Sequence, residues 1–253
     1  MEANGRFYGE NVCVNSDSIK NFWNNNAKKD TSLKSVLLGK DFGADSADLH
    51  NKKETKILLD FIGNDKKDIL DIGCGIGRWA YNLLPIIQSY HGIDFSDEFV
   101  KNANNSFAEY ENIQFFCSPA TKIEYKKLGL LEKYDLVIST GVTMYINDDG
   151  LEKFYSTINE LTANGSFLYL QDTTSLLETR LTLKDFYSKE LETTYNAIYR
   201  TRDEYEKFFD KYLPGFELMD KGTDLLLDKE SGAREETNAR YWCFKKIDIS
   251  MKR

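Results

Sequence analysis

Residues 69–80 read ILDIGCGIGRWA. A short apolar run ends in glycines at alternate positions, Gly73, Gly75 and Gly77, with Asp71 two places before the first. The run 68–72 (DILDI) has the length and apolarity of a buried strand. Glycine takes a positive φ without strain and lets another molecule approach the main chain closely. In an open parallel sheet, ligands bind beyond the carboxyl ends of the strands, where strand order reverses. A strand leaving through so bare a turn into a helix is therefore the place to look for a ligand.

The spacing narrows the choice of ligand. A nicotinamide-binding turn wants G-x-G-x-x-G, with its third glycine against the following helix. Counted from Gly73, that position is Arg78. No G-K-[ST] follows, so a phosphate loop of the Walker type is excluded. The pattern is instead D-x-G-x-G-x-G. A second strand, 90–94 (YHGID), ends in Asp94, whose carboxylate is placed to accept both hydroxyls of a ribose.

Outward from this turn the chain alternates strand and helix. A helix is expected from Gly77 to about Gln88. Ser96 caps another that carries Phe99, Val100, Ala103 and Phe107 on one side. Strands are expected at 113–117 (IQFFC), 134–140 (YDLVIST) and 166–171 (SFLYLQ). Between the last two, Asp148 caps a helix with Leu151, Phe154, Ile158 and Leu161 on one stripe, stopped by Asn164-Gly165. After Asp172 the rhythm breaks, and 173–200 are polar, aromatic-rich and without clear period. Thr201 to Glu204 form a capping box, and the helix it starts ends before Pro214-Gly215. Segments 216–221 and 240–246 read as an antiparallel hairpin with a charged tip at 228–236. The expected fold is α/β, a doubly wound, mostly parallel seven-stranded sheet in one domain over 1–253. Within it, 1–54 form a helical lid, 55–172 a ligand-binding core, 173–200 an insertion at the site's mouth, and 201–253 a closing helix and hairpin.

Composition is that of a soluble domain: of 253 residues, 41% are hydrophobic and 29% charged, with a net charge of −8. That balance argues against nucleic acid as the main partner, since phosphate binding needs a basic face. Cys13, Cys74, Cys117 and Cys243 lie far apart, as free thiols in a reducing cytosol would. No signal peptide and no membrane-length apolar run is present, so a cytoplasmic location is expected.

The D-x-G-x-G-x-G turn followed by Asp94 resembles the cofactor signature of the class I S-adenosylmethionine-dependent methyltransferases. The resemblance covers about 55–172, and the closing hairpin fits it. It implies S-adenosylmethionine as methyl donor. Gly73, Cys74, Gly75 and Gly77 would approach its amino-acid moiety, and Asp71 would orient the ammonium. Asp94 would bind the ribose and Phe95 would pack on the adenine. Ala120 and Thr121, in the SPAT segment 118–121, would flank the base, and this sequence lacks the acid that often stands there. Thr140 and Gly141 open a segment, 139–145 (STGVTMY), that would floor the site under the sulfonium.

Methyl transfer is an in-line displacement that chiefly needs alignment and exclusion of water. A hydroxyl acceptor also needs a base. Asp172 at the end of the fifth strand, Tyr145 and His50 are the candidates, and no residue set suggests a metal. Arg180, Tyr195, Tyr199 and Arg200 are the expected acceptor contacts, with arginines for phosphate or carboxylate and tyrosines for stacking. The phrases FWNNNAKKD (22–30), RLTLKDFY (180–187) and YNAIYRTRDEY (195–205) are similar to methyltransferases of bacterial surface-polysaccharide biosynthesis. That similarity implies a hydroxyl of a sugar or nucleotide-linked sugar as acceptor. The alternatives are a small amine acceptor and, from another class, a binding protein that has lost catalysis. Arg78 in place of a third glycine weighs against a nicotinamide dehydrogenase. The oligomeric state is not legible.

Overall fold

The computed structural model describes residues 5–37, 46–189, 191–220 and 235–248. A short strand β1 (Arg6–Tyr8) precedes three helices, α1 (Ser16–Lys29), α2 (Leu33–Leu37) and α3 (Ser46–Ile62). The core then runs β2 (Lys67–Ile72), α4 (Arg78–Leu83), β3 (Ile87–Asp94), α5 (Asp97–Ser106), β4 (Ile113–Cys117) and α6 (Tyr125–Leu128). It continues through β5 (Tyr134–Thr140), α7 (Asp148–Glu160) and β6 (Thr162–Ser175). The chain ends with β7 (Leu181–Ser188), β8 (Thr193–Tyr199), α8 (Arg202–Tyr212), β9 (Phe216–Asp220) and β10 (Thr237–Lys246).

The main sheet has the order β4-β3-β2-β5-β6-β10-β9. Its first five strands are parallel, and β10 runs antiparallel to both neighbours. This is the seven-stranded, mostly parallel sheet expected from the alternation. The order reverses beside β2, so the turns after β2 and β5 open side by side. β2 is buried on both faces. Ile69 packs among α3, α4 and α5 through Leu58, Trp79 and Phe107, whereas Leu70 and Ile72 pack toward α7 and α8 through Leu151, Phe154 and Phe209.

Three local expectations are corrected. The helix after the glycine turn stops at Leu83. Leu84–Ile86 form a single 3-10 turn with Pro85 in its first positions, and β3 begins at Ile87. Asn164-Gly165 does not stop α7, which ends at Glu160. Thr162 Oγ1 donates to the Ile158 carbonyl at 2.7 Å and closes that helix end. Gly165, at φ +92°, instead lies inside β6.

The third correction is larger. Residues 173–200 are not an irregular wall but two strands, β7 and β8, which pair with β1 in a separate antiparallel sheet of order β1-β7-β8. Their period is hidden by a break in pairing between Leu183 and Phe186. There Asp185 takes a φ of +50° and its N–H donates to Asn196 Oδ1 at 3.0 Å. Such a bulge shifts side chains from one face to the other and masks alternation. The charged tip of the closing hairpin falls mostly outside the described residues.

The small sheet is fastened to the core by Arg200 at the end of β8. Its side chain is fully buried. The guanidinium pairs with Asp148 at 2.6 Å and donates to the carbonyls of Thr143 and Ile146 at 2.8 and 2.7 Å. Arg180 joins the same acid at 2.9 Å and Glu204 at 2.6 Å. Removing Arg200 leaves the Thr143 and Ile146 carbonyls without that donor, although Asp148 keeps Arg180. Arg200→Ala is therefore expected to cost about 1–3 kcal/mol of stability in urea titrations. A loss under 1 kcal/mol would contradict the clamp.

Candidate active site

The turns after β2, β3, β4 and β5 line a cavity of about 940 Å³. α1 and the small sheet roof it through Trp23, Leu181, Tyr195 and Tyr199. Its size suits one or two small ligands.

The glycine turn is held by its neighbours. The N–H groups of Gly73 and Cys74 both donate to the Ile93 carbonyl, at 2.7 and 3.0 Å. Gly73 sits at φ +83°, and a Cβ there would lie 2.1 Å from Val142 Cγ2. Gly77 serves packing rather than the cavity. A Cβ on it would meet the rings of Phe107 and Phe115 at 2.9 Å, and it is not part of the cavity wall. Cys74 is a small buried filler in that wall, its thiol pushed well above its ordinary range by burial.

Asp94 stands at the mouth of β3. One carboxylate oxygen accepts the Gly75 N–H at 2.9 Å and the other the Ser96 N–H at 2.8 Å. Burial pushes this carboxyl up to about 6, against those two hydrogen bonds. A carboxylate has about four acceptor positions, so Asp94 retains acceptor capacity toward the cavity. Asp71 lies beneath the turn and is fully buried. It accepts from the Tyr90 hydroxyl, while its Oδ1 has no hydrogen-bond partner among the described residues. Burial raises its carboxyl to about 7, opposed by Tyr90 and by the Arg78 guanidinium. Phe95, Ala120, Thr121, Thr140 and Gly141 all reach the cavity wall.

The proposed bases separate. Tyr145 and His50 line the cavity. Burial lowers the His50 pKa below its ordinary value, and its buried Nε2 lies 3.6 Å from the Glu54 carboxylate. Asp172 is 2% exposed and off the cavity wall. It accepts from Thr143 Oγ1 at 2.6 Å and from the Met144 N–H at 3.4 Å, so it shapes the turn after β5. The expected acceptor contacts separate likewise. Tyr195 and Tyr199 line the cavity, whereas Arg180 and Arg200 are turned inward onto Asp148.

Two features escaped the sequence reading. Arg78 lines the cavity, paired with fully buried Glu54 at 2.8 Å and donating to Thr140 Oγ1 at 3.2 Å. The signal was present: His50 and Glu54 stand four residues apart, on one face of α3. Trp23 of α1 is the second, an apolar residue amid asparagines in FWNNNAKKD. Among the described residues, no cluster of three or more His, Cys, Asp or Glu is arranged to hold a metal ion. Nor is any described helix long and apolar enough to cross a membrane.

A family model for a methyltransferase domain matches residues 69–165. Phosphoethanolamine N-methyltransferase 1 of Triticum aestivum is 26% identical over 154 residues, which make up 60% of this chain and 30% of that protein. The malonyl-[acyl-carrier protein] O-methyltransferase of Acetivibrio thermocellus is 34% identical over 115 residues, 44% of this chain and 37% of that one. The chain thus spans about a third of the length of these curated relatives. Among solved structures, Haemonchus contortus phosphoethanolamine N-methyltransferase 1, bound to phosphoethanolamine and S-adenosylhomocysteine, superposes with a TM-score of 0.69 at 21% identity, covering 92% of this chain and 49% of that one. A Leishmania major S-adenosylmethionine-dependent methyltransferase gives 0.67 at 15% identity, covering 91% and 82%. With the glycine turn, Asp94 and the strand order in place, residues 69–165 match a methyltransferase domain, and the chain shares the fold of those S-adenosylmethionine-dependent methyltransferases.

Proposed function

We propose that the protein transfers a methyl group from S-adenosylmethionine to the nitrogen of a small amine. The observation that carries the first half is the pairing of Asp94 with the Gly75 N–H across the mouth of the cavity. The residues fit the cofactor. Gly73 leaves the main chain bare, Asp94 offers acceptor positions for ribose hydroxyls, and buried Asp71 has one oxygen without a partner. Asp71 is off the cavity wall, so it would orient the ammonium from beneath the turn through water, and that charge would offset the desolvation of its carboxylate. When bound, S-adenosylmethionine supplies an electrophilic methyl carbon. The chain's own residues align the acceptor with it and exclude water.

The second half departs from the sugar expectation. A nucleotide sugar would need a cation for its phosphates and a base for its hydroxyl. Arg180 and Arg200 are committed to Asp148, and Asp172 to Thr143. An amine needs neither, because its lone pair attacks directly once the nitrogen is neutral. His50 lines the cavity, but its buried Nε2 faces the Glu54 carboxylate at 3.6 Å, so the amine would enter in its neutral form. The N-methylating relatives agree with this choice.

Incubation with S-adenosylmethionine and a panel of amines and nucleotide sugars, read by S-adenosylhomocysteine formation, is expected to show turnover with amines. Turnover confined to nucleotide sugars would overturn the amine assignment. Asp94→Ala is expected to weaken S-adenosylhomocysteine binding by about 1.5–3 kcal/mol, the range for hydrogen bonds to a charged group. Unchanged affinity in that variant, with its circular dichroism intact, would remove the ribose role. The raised Asp71 pKa gives a pH test. Its folded value of about 7 lies above the ordinary 3.8, so the folded, ligand-free chain binds the extra proton between those values. Its contribution to stability therefore falls as pH rises through that window. An ammonium held there requires the ionised carboxylate, so S-adenosylhomocysteine affinity should rise from pH 6 to 8. The rise should be absent in Asp71→Asn, and an identical rise in that variant would exclude Asp71 as its source.

A further inference from the structure

We propose that the amine acceptor has an apolar, unphosphorylated body and that its charged end is boxed by Trp23, Tyr145 and Tyr195. This inference rests on the methyl-transfer reading and deepens it. The three rings line the cavity and stand at right angles. Trp23 and Tyr145 have centroids 5.7 Å apart at 82°, and Tyr145 and Tyr195 are 6.2 Å apart at 88°. Phe22 backs Tyr195 edge-on at 5.3 Å, which holds the box rigid from behind. Perpendicular rings present faces and edges to the same space, and ring faces attract cations most strongly where water is excluded. The Tyr145 and Tyr195 hydroxyls lie 2.6 Å apart on this wall.

The remaining walls and charges select the acceptor's body. Leu181, Leu183 and Met144 extend the box with apolar surface. Arg6 and Arg78 are the cationic residues of the described wall, and both are paired, with Glu236 and Glu54. Glu235 and Asp149 line the same cavity, besides the Glu236 that pairs with Arg6. Among the described residues, a phosphate brought here would meet aromatic faces and carboxylates and only paired arginines. An ammonium on an apolar body meets complementary surfaces throughout.

The box also suits the product. In the displacement, the amine lone pair forms the new N–C bond and the C–S bonding pair stays on sulfur. The positive charge that entered on the sulfonium leaves on nitrogen. The rings therefore face the atom on which charge develops, as a site favouring the transition state should.

The test uses the full-length protein saturated with S-adenosylhomocysteine, titrated in a calorimeter with benzyltrimethylammonium and, separately, with phosphocholine. Saturation with S-adenosylhomocysteine is measured first, and its failure would overturn the methyltransferase reading itself. Once the protein is loaded, benzyltrimethylammonium is expected to bind at one site, at least tenfold more tightly than phosphocholine. Tyr195→Leu is expected to weaken it about tenfold or more. In the wild-type protein the same probe should quench tryptophan fluorescence saturably, which keeps the test open if that variant does not fold. Equal or tighter binding of phosphocholine would overturn the unphosphorylated body. Absence of binding, or an unweakened folded Tyr195→Leu, would overturn the box.

Discussion

The structure depends on β2 lying between two parallel neighbours. Asp71 is paired in register with Gly92 on one side and with Ile138 on the other. With both edges and both faces occupied, the chain can leave β2 only at its carboxyl end. There the turns from β3 and β5 crowd it, and only a residue without a side chain fits beside Val142. The glycine turn thus follows from the sheet, and the cavity opens where the neighbouring turns diverge. Asp94 then converts this geometric gap into a polar one, because its carboxylate fixes the turn and still faces the space.

The roof is built by a second set of constraints. The three-stranded sheet, assembled from the N-terminal strand and the segment after β6, is fixed in place by the ion-pair cluster of Arg180, Arg200, Asp148 and Glu204. That cluster holds the turn carrying Tyr145 against the strand carrying Tyr195. The same carbonyl contacts that satisfy Arg200 orient the 143–146 turn on the cavity wall. Arginines that read as acceptor contacts instead pair with Asp148 and position residues of the cavity wall.

The parallel core was legible because its inner strands are buried on both faces, its edge strand β4 is still apolar, and caps and glycines bound them. DILDI, IQFFC and YDLVIST announce themselves by apolarity alone. Asp94 was legible by its place at a strand end. The small sheet was not, because the bulge at Asp185 breaks the alternation that marks a strand. The roles of Arg180, Arg200 and Asp172 were not legible either. A charged residue at a strand end reads the same whether it faces ligand or pairs inward, and the partner, Asp148, is remote in sequence. Tyr145 and Tyr195 could be named singly, but their contact comes from tertiary structure alone.

The account stands or falls on whether this cavity takes S-adenosylmethionine. The most direct measurement is a calorimetric titration of the purified protein with S-adenosylhomocysteine, run beside one with NAD. Saturable one-site binding of the first and none of the second is the predicted result. A folded protein that ignores S-adenosylhomocysteine, or that binds NAD instead, would mean that the glycines of ILDIGCGIGRWA serve another ligand or none.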